Sequence, residues 1–187
     1  EKIIGNEESG FSRYNFFLIN YFIQKKQIEA AKILASRSSE FSNSNLLITQ
    51  TVDFLNDGKS EKITEFFDCK NPKDAIAEIF YVIANLHSTE KDFKLSNFYL
   101  KISFFLNNKF IPNNALLAEN FFHQKKYKES RKIYNSIKSI GKEYSWFSSK
   151  SIATILLETN DKEYSVYNLK KEFDKLKNRN FKHYYEL

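Results

Sequence analysis

The chain has no methionine, one cysteine, two prolines and four glycines among its 187 residues. So few glycines and prolines argue against a many-stranded sheet protein, whose tight turns need their special backbone angles. A single thiol, Cys69, closes no internal disulfide. Nothing therefore requires an oxidising compartment, which leans the location toward the cytoplasm and leaves the periplasm open. No apolar run approaches the ~20 residues of a membrane-spanning helix. Gly5, Gly10, Gly58 and Gly141 each stand alone, so the clustered glycines of phosphate- and dinucleotide-binding loops are missing. With Glu1 first and methionine absent, the expectation is a piece of a longer chain.

What is present is aromatic. Phe, Tyr and Trp make up 17% of residues, so rings should dominate the packing. A 42% hydrophobic and 28% charged composition excludes wholesale disorder. The net charge is +6, but 29 basic residues are interleaved with 23 acidic ones, which reads as a solvated helical surface.

Apolar residues recur at helical spacing almost throughout. Phe16, Phe17, Ile19, Phe22 and Ile23 begin the pattern, and Ile76, Ile79, Phe80, Ile83 and Leu86 carry one of its longest stretches. That stretch starts at Asn71, Pro72 and Asp74, which suit an N-cap, the first helical position and the positive helix end. Period-two alternation never persists, so the fold class is all-α. The polar breaks QKKQ, NDGKS, HSTEKD, HQKK and TNDKE fall roughly every 33 residues, with softer breaks between them. Short connections between helices of this length make antiparallel neighbours.

Shifting the chain on itself by 34 residues pairs Phe93 with Tyr127, Ala84 with Ala118, Ser96 with Ser130 and Leu100 with Tyr134. Small residues recur where two helices must approach and large ones where a gap must be filled. On these residues LLAENFFHQKKYKESRKIY resembles a tetratricopeptide (TPR) repeat, through Leu117, Ala118, Phe121, Tyr127, Ser130 and Tyr134. The preceding unit matches through Phe80, Ile83, Ala84, Phe93, Ser96 and Leu100, and the opening unit through Leu18, Phe22 and Ala31. The whole is similar to bacterial TPR proteins. Two departures stand out: Asn114 occupies an aromatic position, and Lys91 and Lys125 replace the turn glycine that Gly58 supplies.

The resemblance implies a right-handed α-solenoid of about five hairpins, with units near 12–38, 44–68, 72–107, 112–139 and 144–178. It also implies a non-catalytic scaffold whose first helices line a groove for a peptide or protein segment. Carried over by position, the groove residues are Phe16, Asn20, Ile23, Ile48, Val52, Tyr81, Asn85, Ser88, Glu119, Phe122 and His123. Phe16 and Tyr81 stand where chaperone-binding members place cations, so carboxylate-clamp recognition is not expected. Asn20 and Asn85 could bond a peptide backbone.

Glu119 and His123, four apart, could share a metal, but the other histidines, His87 and His183, are remote in sequence; no metal or cofactor is expected. Cys69 has no neighbouring histidine and reads as a bystander thiol, so no catalytic residue emerges. The segment KKEFDKLKNRNFKHYY mixes cations and rings as single-strand binders do. Glu172 and Asp174 interrupt its basic face, so it reads as a terminal cap in which Phe173 and Leu176 pack inward. RNA binding by a helical-repeat module, and a structural or self-association spacer, are the alternatives to the scaffold.

Overall fold

The computed structural model describes residues 12–41, 45–176 and 181–187. Among them every regular element is a helix. In chain order these are α1 (Ser12–Gln24), α2 (Ile28–Phe41), α3 (Leu46–Asn56), α4 (Ser60–Phe66), α5 (Pro72–Thr89) and α6 (Phe93–Leu106). Then follow α7 (Ile111–His123), α8 (Tyr127–Ile137), α9 (Lys142–Glu158), α10 (Lys162–Lys175) and a short α11 (Phe181–Tyr185). The helices pack chiefly as adjacent pairs, α1 on α2, α5 on α6, α7 on α8 and α9 on α10, with a lesser contact of α3 on α4. The α5 start is as the sequence suggests: Asn71 Oδ1 accepts from the Lys73 amide at 3.1 Å, and Pro72 needs no partner there.

The five turns inside these pairs are built alike. Lys26, Gly58, Lys91, Lys125 and Asn160 all have φ between 59° and 72°, at successive steps of 32, 33, 34 and 35 residues. In the α5–α6 turn the Lys91 amide donates to Ser88 O at 3.0 Å and the Asp92 amide to His87 O at 2.9 Å. The other four turns repeat that pair of bonds, each tying off the last carbonyls of the preceding helix. Gly58 and Asn160 tolerate the left-handed region, whereas a lysine there crowds its own Cβ. Lys91→Gly should therefore raise stability by about 0.5–1 kcal/mol, read as a higher midpoint in urea.

Within the pairs, small residues allow close approach. Ala84, Ala118, Ser96 and Ser130 are each fully buried at 0% exposure. Ser130 Oγ donates to Ala118 O at 2.8 Å, and one unit later Ser165 Oγ donates to Ala153 O at 2.9 Å. These two serine hydroxyls thus spend their donors on carbonyls of the partner helix.

Between pairs the packing is less regular. The principal neighbours of α3 are α1, α2, α4 and α9. One core cluster joins Phe16, Ile48, Phe54, Phe67 and Phe110, so α1, α3 and α4 close on the start of α7. A second joins Ala118, Tyr134, Ile137, Tyr144 and Ile155 across α7, α8 and α9. A third, Trp146, Leu169 and Phe173 with Leu176 against it, seals the last pair. Phe173 and Leu176 thus pack inward as a cap would, while Lys177 lies outside the described residues.

Candidate functional site

The groove residues inherited from the repeat pattern divide into two groups. Phe16, Asn20, Ile23 and Ile48 are buried, and Val52 packs against the same cluster. Their partners are the chain's own helices. The Asn20 amide does bond a polypeptide backbone, but it is this chain's: Nδ2 donates to Ile63 O at 3.1 Å and to Phe67 O at 2.7 Å. As folded, these positions are buried within the chain's own core.

The second group lies on α5 and α7. Tyr81 is half-buried, set edge-on against Phe110 at 5.6 Å with the Arg13 guanidinium 4.5 Å over its ring. Arg13 also pairs with Glu78. Ser88 donates to Asn120 Oδ1 at 2.6 Å, and Asn120 Nδ2 donates to Ser96 Oγ and Asn97 Oδ1, both at 2.8 Å. Asn120 is wholly buried, and these bonds set α7 against α5 and α6. Beside that knot Asn85, Glu119 and His123 are exposed. The His123 ring stacks on Phe93 at 5.5 Å, and half-buried Phe122 leans on Tyr127 at 5.8 Å.

Under Phe122 is a hollow of about 200 Å³ lined by Phe122, Tyr134, Ser151 and Thr154. Glu119, one turn before Phe122 on α7, is outside that lining, but its charge acts on Tyr134 within it and on Tyr81. Its carboxylate reaches water yet is flanked by protein, and that desolvation holds its pKa above the usual carboxylate range. Burial likewise pushes the Tyr81 and Tyr134 phenols up, so both stay protonated.

Other candidates offer less. No third carboxylate, histidine or cysteine joins Glu119 and His123 in a metal-sized group among the described residues. The Cys69 thiol is pushed up by burial against α1 and by Asp68, away from the thiolate form a nucleophile needs. A more open hollow of about 580 Å³ beside α1 and α4 is edged by Lys26, Glu61, Asp68 and Lys70, charges of both signs facing solvent. Among the described residues no helix is long and apolar enough to cross a membrane. Comparisons with protein families, curated proteins and solved structures find no match.

The repeat pattern missed Tyr134, Ser151 and Thr154 as lining residues. Tyr134 lies on α8, and Ser151 and Thr154 lie on α9. Their polar side chains at helical spacing look like ordinary surface.

Proposed function

We propose that this chain is a non-catalytic interaction module, a tetratricopeptide-like α-solenoid, that holds a polypeptide segment in the cleft between α5, α7 and α9. The observation that carries this reading is the 200 Å³ hollow beside Glu119, which is exposed yet partly desolvated. Small-molecule and cofactor sites run to roughly 300–1,000 Å³, so this hollow suits a single large side chain. Asn85, exposed on α5, carries an amide suited to a peptide backbone. Glu119 favours a segment carrying lysine or arginine near its anchoring apolar residue. RNA would instead want unpaired cations along this face, and Arg13 is already committed to Glu78 and Tyr81.

The charge gives this reading a sign. A folded carboxyl with a raised pKa contributes stability below the ordinary carboxylate range, which is lost as pH rises through the raised value. Glu119→Gln should therefore stabilise the protein slightly at neutral pH. A cationic ligand does the opposite: it favours the ionised form, so binding should strengthen as pH rises through the Glu119 pKa. The test is selection of a displayed random-peptide library, then calorimetry of a selected peptide at pH 5 and pH 7.5. Tighter binding at the higher pH, with the difference gone in Glu119→Gln, is the expected result. A library that enriches no peptide, alongside binding of single-stranded RNA, would replace this reading with the nucleic-acid one.

A further inference from the structure

The segment from α11 to Leu187 packs back onto α9 and α10. His183, itself buried, sets its ring edge-on against Trp146 at 5.3 Å, and Tyr184 does the same against Phe173 at 5.1 Å. Past these anchors the Glu186 carboxylate meets α9. One oxygen accepts from Trp146 Nε1 at 2.8 Å and the other from Lys150 Nζ at 2.6 Å. Both are charge-assisted hydrogen bonds. Trp146 is only 4% exposed, and a buried indole N–H is costly to leave without an acceptor. The pair Trp146 and Lys150 therefore forms a built carboxylate site.

Beside it, between α9 and α10, is a hollow of about 480 Å³ whose lining includes Ala153, Leu157, Val166 and Leu169. That volume lies within the roughly 300–1,000 Å³ of ligand sites. Lys150 and Glu186 border the same hollow, so the carboxylate site and the apolar space make one groove. Leu187 borders it too yet stays about half-exposed, as do Leu157 and Val166. The chain's own residues thus satisfy the polar end of the groove and leave the apolar part open.

We infer that the α9–α10 groove binds an acidic segment of another polypeptide, a carboxylate followed by aliphatic residues, in exchange for Glu186 and Leu187. The two residues already seated there show the chemistry that fits. Lifting Glu186 without a replacement would strand the indole N–H and leave Lys150 unpaired, so the incoming group must also be a carboxylate. Only Glu186 and Leu187 need move, because His183 and Tyr184 hold α11 by separate contacts. Nucleic acid fits less well, since bases stack on rings and this lining is chiefly aliphatic. Held in cis, Glu186 competes at high effective concentration and screens out weak ligands. The α5–α7–α9 cleft is not required for this inference, although the two hollows share Ser151 and Thr154.

Trp146 is the chain's one tryptophan, so its indole N–H gives a single nuclear magnetic resonance signal that reports the site. The probe is an amidated peptide YELLG, which repeats Tyr185 to Leu187 and adds a leucine for the hollow. Followed on that signal, the peptide should bind Glu186→Ala at least roughly tenfold more tightly than the wild type, because the cis competitor is gone. Adding Lys150→Ala, or exchanging the peptide's glutamate for glutamine, should remove the gain. Circular dichroism should stay helical in each variant. If Glu186→Ala loses helix, Glu186→Gln, which keeps an acceptor for the indole, takes its place with the same expected order. Equal affinity with and without Glu186, binding indifferent to Lys150, or octanoate moving the signal as the peptide does at equal concentration would each overturn the assignment.

Discussion

At neutral pH, Asn20→Asp should melt roughly 10 °C below the wild type. Asn20 is fully buried, and its amide donates to Ile63 O and Phe67 O, carbonyls at the C-terminal end of α4. A helix end leaves its last carbonyls without intrahelical donors and carries partial negative charge. The α4 helix has seven residues and no side-chain cap at its start, so it depends on this one from α1. Aspartate removes the donor and points a carboxylate at two carbonyl oxygens and the negative end of the helix. Leaving a buried charge uncompensated costs about 3–5 kcal/mol. Protonation would neutralise the carboxyl and restore one donor, so the deficit should shrink on acidification. Thermal denaturation at two pH values measures both. A variant that melts with the wild type would instead place Asn20 at a solvent-facing groove.

Gln50→Ala should cost about 2–3 kcal/mol, and the damage should be directional. Gln50 belongs to α3, yet its Oε1 accepts from the amides of Glu143 and Tyr144, at 3.1 and 3.4 Å, in the first turn of α9. Its Nε2 donates to Asp53 Oδ2 at 3.1 Å, and Asp53 pairs with Lys142. An N-cap normally comes from the residue beside the helix; this one comes from 93 positions away. Gly141, just before α9, has no side chain where the Gln50 amide lies, and a Cβ there would collide with it. Losing Gln50 orphans buried amides and unfastens the first two helix pairs from α9. Hydrogen exchange should show protection falling in α1 to α4 more than in α7 and α8. Uniform loss across the chain would mean that α3 is not held through this contact.

These two residues show where sequence reading stops. Helical periodicity made the all-α class legible, and polar breaks located the turns. Lys91 and Lys125 were recognisable as substitutes for a turn glycine, and both adopt the left-handed backbone that glycine would supply. The recurrence of Ala84 with Ala118 and of Ser96 with Ser130 marked buried positions. Asn20, Asn120 and Gln50 were not legible as clasps, because an amide at helical spacing looks the same whether it faces water or another helix's carbonyl. Nor does periodicity reveal that α3 lies against α9, since lateral packing between distant pairs leaves no local signature. The positional carry-over therefore placed Phe16, Asn20, Ile23 and Ile48 beside a partner, although in the structure they meet the chain's own α1 to α4 core. For the candidate site, Glu119, Phe122 and His123 were legible from one helix, while the lining from α8 and α9 required the fold.

The most direct test of the proposed binding cleft is amide chemical-shift mapping of the isotopically labelled protein with a library-selected peptide. Shifts should concentrate at Asn85, Glu119, Phe122, Ser151 and Thr154, diminish in Glu119→Gln and be absent in Phe122→Ala that remains folded. Shifts clustered instead along Lys170 to Lys175, with the α5–α7–α9 cleft silent, would contradict it.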